Sequence, residues 1–305
     1  MPRTLLVGSQ TGAYREWLKE HRSSRDLLCL DPADPDSGPP GRIALYREEK
    51  CQAWGFIGSL SALRAPQMLL AALERLLPEL SEDAIIELFP YRPSPLRLQL
   101  ARLCAQILRP EAILVDRRAQ LEKAGWPVPV EEIELPDGPP ASVQSGHRKA
   151  RWLQMIDDCE PHEIDLLHVG IDGLRLGSGV PIPIENLRKY GFADPLHAEV
   201  AGSSLLVISE GPVSDVEVSR ALDSTHTSKA HIVTPRHYEN LLCSFARENG
   251  EDFGMGHIVQ IRFPERVAIV HCTAVPETPV ALLRVGSLRV DAEGRELGEL
   301  KPWEA

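Results

Sequence analysis

Several absences narrow what this chain of 305 residues can be. No run of apolar residues is long enough to cross the ~30 Å hydrocarbon core of a bilayer. The start, Met1-Pro2-Arg3 followed by a strand-like run, lacks the pattern of a secretory signal. The six cysteines occur singly, without a C-x-x-C pair, which argues against structural zinc. Cys29, Cys104 and Cys272 sit in apolar runs and read as buried thiols. Together these features imply a reducing, cytoplasmic setting with no membrane contact. There is also no excess of basic residues: 33 Lys and Arg stand against 44 Asp and Glu, a net charge of −11. A general nucleic-acid binder carries the opposite sign, so an RNA partner would need a local basic patch working against the overall field. No internal repeat and no low-complexity tail is visible.

What is present is alternation. Thr4–Val7 is a short apolar strand, Gly8-Ser9-Gln10-Thr11-Gly12 a glycine loop, and Tyr14, Trp17, Leu18 and His21 recur at helical spacing. Leu27–Leu30 is a buried strand that ends at Asp31 and spills into a Pro/Gly loop up to Gly41, and Arg42–Tyr46 reads as another strand. Strand, loop, helix, strand is the opening of a doubly wound α/β domain, whose ligands sit at the carboxyl ends of the strands. Here that places Gly8–Gly12 and Asp31 at the site, on neighbouring strands. The alternation continues with a strand and turn over 52–60, a helix from Pro66 to about Leu80, and a strand from Asp83 to Leu88. Ser94-Pro95 then caps a helix to about Leu108, with Leu96, Leu100, Leu103 and Ile107 on one face, and Glu111–Val115 is the next strand. Residues 126–145, rich in Pro, Glu, Gly and Ser, read as an exposed connection.

From Glu163 the pattern changes to short strands and turns. Ser203–Ser209 is a strand, Leu241–Arg247 and Phe253–Phe263 form a hairpin turned by Asn249-Gly250, and Val267–Val275 and Leu282–Val290 are further strands. The length allows two ordinary domains. The expected fold is therefore α/β: a mostly parallel sheet with flanking helices over residues 1–150, followed by a β-rich domain over 161–305.

Several segments resemble the Clp-type polynucleotide 5'-hydroxyl kinases, P-loop proteins that phosphorylate RNA 5' ends. Asp31 keeps the family's spacing to Gly38-Pro39-Pro40-Gly41, and Phe56-Ile57-Gly58-Ser59 is similar to a later family segment. The most specific downstream match is Val169-Gly170-Ile171-Asp172-Gly173-Leu174-Arg175-Leu176-Gly177-Ser178-Gly179, of the form V-G-x-x-G-x-R-x-G-S-G. Phe253–Ile258 and Arg284–Val290 resemble the family's closing strands. The resemblance covers most of the chain and implies a P-loop-NTPase-like sheet. It also implies a nucleotide loop at Gly8, Ser9, Gln10, Thr11 and Gly12, and a role for Asp31 in catalysis if the protein is active. A lid-like segment would run from about 142 to 158. Its Arg148, Lys149 and Arg151, together with Arg175, would line an RNA groove.

The motifs that would carry phosphoryl transfer are damaged. A working loop reads G-x-x-x-x-G-K-[ST], its Lys reaching the terminal phosphates and its hydroxyl holding magnesium. Here the loop is one residue short, Ala13 stands in the Lys position and Tyr14 in the Ser/Thr position. Cys29 replaces the first Asp of the second motif. Glu87-Leu88-Phe89-Pro90-Tyr91 stands where the family carries an Asp-Thr-x-Gly strand end.

The scattered histidines, such as His226, His231 and His237, lack an acidic or Cys partner at ligand spacing, so no metal site is expected. No nucleophile elbow surrounds Ser9. Site chemistry outweighs fold analogy. The expectation is a pseudokinase of RNA processing with a binding or scaffold role, without a firm cofactor, whose partner is an RNA with a 5'-hydroxyl end or a protein. The alternative is an active ATP- and magnesium-dependent 5'-hydroxyl kinase with an atypical loop. A remoter third is a β-rich interaction module on an α/β platform.

Overall fold

The computed structural model describes residues 3–34, 36, 38–273 and 279–301. The chain divides into two compact units, Met1–Met155 and Ile156–Ala305.

The first unit contains β1 (Thr4–Val7), α1 (Arg15–His21), β2 (Asp26–Cys29), β3 (Arg42–Arg47), β4 (Lys50–Phe56), α2 (Pro66–Leu76), β5 (Ala84–Glu87), α3 (Pro95–Leu108), β6 (Ala112–Asp116), β7 (Val130–Ile133) and α4 (Ala141–Asp157). Its seven strands form one sheet in the order β4-β3-β2-β5-β1-β6-β7. The five strands from β2 to β7 run parallel, and β3 and β4 add an antiparallel edge. Parallel strands covered on both faces read as continuous apolar runs, and alternate residues then serve opposite cores. Leu5, Val7, Leu28 and Ile86 enter the larger core with α2 and α3 residues, while Leu6 and Ile85 join Tyr14 and Leu135 on the other face.

Three details differ from the sequence expectation. The loop after β1 and Asp31 after β2 are not on adjacent strands, because β5 lies between them. Residues 126–145 are not only a connection: they contain β7, parallel to β6. In α3 the buried face is Leu100, Ala101, Cys104, Ala105 and Leu108, whereas Leu96 and Leu103 are exposed. The inward stripe is carried by small residues that let the helix lie close to the sheet, and leucine spacing alone points to the wrong phase. The expected cap is in place: Ser94 Oγ accepts from the Arg97 amide at 3.2 Å.

The second unit contains β8 (Cys159–Asp165), β9 (Gly170–Asp172), β10 (Val180–Pro181), α5 (Ile184–Tyr190), β11 (Pro195–Ala201), β12 (Ser204–Ser209), α6 (Asp215–Thr225), β13 (Lys229–Val233), β14 (Leu241–Ala246), β15 (Asp252–Arg262), β16 (Val267–Thr273), β17 (Leu282–Val290) and β18 (Glu296–Glu299). The largely antiparallel sheet has the order β18-β17-β14-β15-β16-β8, with β9 pairing parallel to β17. Residues 274–275, expected to extend β16, lie outside the described residues. Asn249-Gly250 turns the hairpin as expected, with Gly250 at φ +82°.

A smaller sheet, β10-β11-β12-β13, carries α5 and α6. These helices are missing from the expectation of a β-rich domain. The signal for α6 is a capping box: Ser214 Oγ accepts from the Glu217 amide, and the Glu217 carboxylate accepts from the Ser214 amide. Among the described residues no helix is long and apolar enough to cross a membrane.

One buried ion pair organises the larger sheet of this unit. Arg284 Nη1 donates to Asp252 Oδ1 at 2.6 Å and to the Gly250 carbonyl at 2.9 Å, and Ser244 Oγ donates to the same Asp252 oxygen. All three side chains are buried. Removing one partner of such a pair strands the other charge. Arg284→Met is expected to destabilise the protein by about 3–5 kcal/mol, checked by urea denaturation, with Arg262→Met on the exposed face of β15 changing it by less than about 1 kcal/mol.

Candidate functional site

The site grows from the carboxyl ends of β1, β2, β5 and β6. Beyond β1 the loop Gly8–Gly12 turns with Gly12 at φ +70°, a conformation that favours glycine. Two amides that follow the loop bond back to its carbonyls: Ala13 N donates to Gln10 O at 3.4 Å and Arg15 N to Gly12 O at 3.5 Å. α1 is short and has no fully buried residue; half-buried Trp17 stacks on His21 at 4.3 Å and, with Leu18, packs on the cluster around Tyr14, which reaches deeper. The anchor is the residue before the helix. Tyr14 is 1 % exposed, and its ring lies across Gly8, where a Cβ would meet the phenol oxygen at 2.6 Å and Cζ at 2.8 Å. The phenol oxygen is buried and has no hydrogen-bond partner. Glu87, Asp116, Asp31 and the Cys29 thiol surround it, and burial followed by these acids pushes its pKa well up, so it is a neutral phenol.

Thr11 Oγ1 donates to Asp31 Oδ2 at 2.7 Å, and the Ala33 amide donates to Asp31 Oδ1 at 3.0 Å. The structure therefore brings the glycine loop and Asp31 together through a side chain. Asp31 is buried, and burial, with Asp34 adding to it, outweighs these two hydrogen bonds and the nearby Arg148, raising its pKa to about 7. Glu87 is pushed well above the usual carboxylate range, by burial and then by Asp34 and Asp31. Asp34, raised chiefly by burial, takes Arg15 at 3.3 Å, and Arg15 also pairs with Asp36. Asp116 is held by Arg118, which also bonds the Leu135 and Pro136 carbonyls.

The Cys29 sulfur and the carboxylates of Asp34 and Glu87 lie within 4.8 Å of one another, the donor grouping among the described residues that is compact enough for a cation. In the sequence Cys29 reads as a buried thiol in the place of an Asp, and nothing there joins it to Glu87. With all three pushed toward their protonated forms and Arg15 on Asp34, the grouping stores protons more readily than it presents charge.

The outer side of the loop is covered as well. Gln144 Nε2 donates to the Thr11 carbonyl at 3.2 Å, and Gly138 packs so closely that a Cβ would meet Thr11 O at 2.9 Å. Alongside lies an open cavity of about 670 Å³ lined by Ser9, Gln10 and Thr11 and by Arg92 and Arg97. The Arg92 and Arg97 side chains make no hydrogen bond or ion pair with any described residue. They were not singled out in the sequence; the only hint is basic residues flanking the Ser94-Pro95 cap.

Arg148, Lys149 and Arg151 lie on α4; Arg148 bears on Asp31, and Arg151 donates to Gln154. Arg175 belongs to the second unit, after β9.

No family model and no curated protein matches the sequence. Solved structures do. A structure of the extended interface between Pcf11p and Clp1p, which addresses ATP loss in a glycine-to-arginine point mutant, matches with a TM-score of 0.54 at 12% identity, over 94% of this chain and 75% of that one. A wild-type Clp1p–Pcf11p complex matches with a TM-score of 0.52 at 12% identity, over 94% and 74%. The chain has a Clp1-like fold. The likeness runs through both units, as the segments quoted from the sequence imply, and at this identity it concerns the backbone alone.

The raised pKa of Asp31 makes a stability prediction. An unfolded Asp releases its proton near pH 4 and the folded one near pH 7, so between these values the folded state binds more protons. Stability from this group is therefore full below about pH 4 and lost as the pH rises to about 7, by an amount on the order of 4 kcal/mol at most. Thermal melts are expected to show the protein gaining stability from pH 8 to pH 5, and Asp31→Asn should flatten that gain. An unchanged slope in the variant would show that Asp31 ionises normally.

Proposed function

We propose that this protein is a non-catalytic relative of the Clp-type polynucleotide 5'-hydroxyl kinases: a pseudokinase of RNA processing whose first unit serves as a binding module. The observation that carries the reading is the Tyr14 phenol lying across Gly8. A phosphate-binding loop works because its amides face an open space that an anion and a cation can fill. Here the amides of Ala13 and Arg15, just past the loop, are spent on its carbonyls, and a neutral ring takes up the space beside Gly8. Asp31, Glu87 and Asp116, all buried, surround the Tyr14 phenol, so a triphosphate there would meet acids. The Lys and the Ser/Thr that would offset them are Ala13 and Tyr14.

The loss of the Lys contact alone removes about 1.5–3 kcal/mol, one to two decades in affinity. The Clp1p structures give a parallel in kind, since one of them treats ATP loss through a residue larger than glycine.

A binding role remains chemically available through Arg92 and Arg97 beside the loop and Arg148, Lys149 and Arg151 on α4. An RNA 5' end is one partner these cations suit. The net charge of −11 and the Clp1p–Pcf11p complexes favour a protein partner. Six free cysteines accord with a cytoplasmic setting.

Calorimetry with ATP and magnesium is expected to give no binding tighter than about 1 mM. An RNA oligonucleotide with a free 5'-hydroxyl should acquire no label from radioactive ATP. Low-micromolar ATP binding, or turnover abolished by Asp31→Asn, would establish the active kinase instead. Without ATP, salt-sensitive RNA binding that weakens in Arg148→Ala/Arg151→Ala identifies RNA as the partner, and its absence directs the search to protein.

A further inference from the structure

The second unit holds a cavity of about 480 Å³ between β12 and β13 of the smaller sheet and Arg289 of β17. Its size is that of a small-molecule site. Arg175, Arg289, His231 and His237 line it together with an apolar wall that includes Leu206 and Tyr238, and none of its lining residues is Asp or Glu. In a chain of net charge −11 that is a local reversal of sign.

The arginines are at most partly engaged by the protein. The Arg175 guanidinium has no hydrogen-bond or ion-pair partner among the described residues, and its Nε is buried. Arg289 uses Nη2 on the His237 carbonyl at 2.7 Å, and its buried Nε is likewise unpartnered. Glu199, which lies near Arg175, is already committed. Its carboxylate accepts from the Gly177 and Gly179 amides and bonds His197 Nε2 at 2.7 Å. A buried N–H without an acceptor costs stability unless something else supplies one.

We propose that this cavity binds a small phosphate monoester with an aromatic or apolar body, of mononucleotide size, the phosphate seated between Arg175 and Arg289. Two guanidinium groups supply more donors than a carboxylate uses, and their planar forks match phosphate oxygens in pairs. The apolar wall gives the rest of the ligand its contact. This inference stands on the second unit alone and is independent of the reading of the first.

The probe is adenosine monophosphate, titrated calorimetrically into the full chain, with adenosine and inorganic phosphate as its two separated parts. The expected result is a single site for the monophosphate, at least ~ten-fold tighter than for either part, weakening as salt is raised. Arg175→Gln is expected to weaken it roughly ten- to hundred-fold without moving the melting temperature, because Arg175 holds nothing else in place. Arg289→Lys, which keeps a charge and can still reach the His237 carbonyl, should weaken it less. Four results would overturn the proposal: no binding at millimolar monophosphate, equal binding of inorganic phosphate, binding indifferent to Arg175→Gln, or binding lost in Arg97→Gln while Arg175→Gln retains it, which would put the ligand in the first unit.

Discussion

The contact on which the first unit's site depends is the one between the Tyr14 ring and the bare backbone of Gly8. A glycine at the end of the first strand of an α/β sheet ordinarily lets an anion approach the main chain. Here the same missing Cβ lets in a side chain of the same protein. Burial of the carboxyl groups behind the ring, close to one another, favours their protonated forms. The raised pKa values of Asp31, Asp34 and Glu87 are thus consequences of how the space is filled. Thr11 bonding Asp31, and Gln144 bonding Thr11 from the other side, then fix the loop in the shape that the ring allows.

Where the sequence was informative, a local rule and the tertiary structure agreed. Continuous apolar runs marked β1, β2 and β5, the Ser94-Pro95 cap marked α3, and Asn249-Gly250 marked the β14–β15 hairpin. Each rests on a property of a few adjacent residues. The order of strands does not: nothing within residues 4–31 reveals that β5, more than fifty residues later, will separate β1 from β2. The helices α5 and α6 were passed over because their stretch is mostly polar. Only the Ser214–Glu217 capping box was available to mark the second.

For the site, the losses were legible and the replacement was not. Ala13 and Tyr14 announce that the Lys and the hydroxyl are gone. Helical spacing rightly sets Tyr14 on the same face as Trp17 and Leu18, which pack in one cluster with it, but gives no reason for its phenol to lie across Gly8. Asp34 lies in the Pro/Gly loop after β2, and its role, a buried partner of Arg15, depends on two side chains nineteen positions apart meeting beyond the carboxyl ends of β1 and β2. Glu87 and Asp116 end different strands and become neighbours of Tyr14 only through the sheet order.

Electrostatics separates the two units more sharply than secondary structure does. The first gathers buried acids at the edge where a nucleotide would need cations, and leaves Arg92 and Arg97 facing the cavity outside the loop. The second gathers Arg175 and Arg289 around an acid-free cavity and keeps Glu199 occupied by glycine amides and a histidine. A Clp1-like backbone is compatible with both arrangements, because a fold fixes where strand ends and loops lie and leaves the charges placed there free to change. What a strand end can bind is set by which groups are already paired. In the first unit the buried acids are met by protons and arginines, whereas in the second the buried Nε atoms of both arginines lining the acid-free cavity lack acceptors.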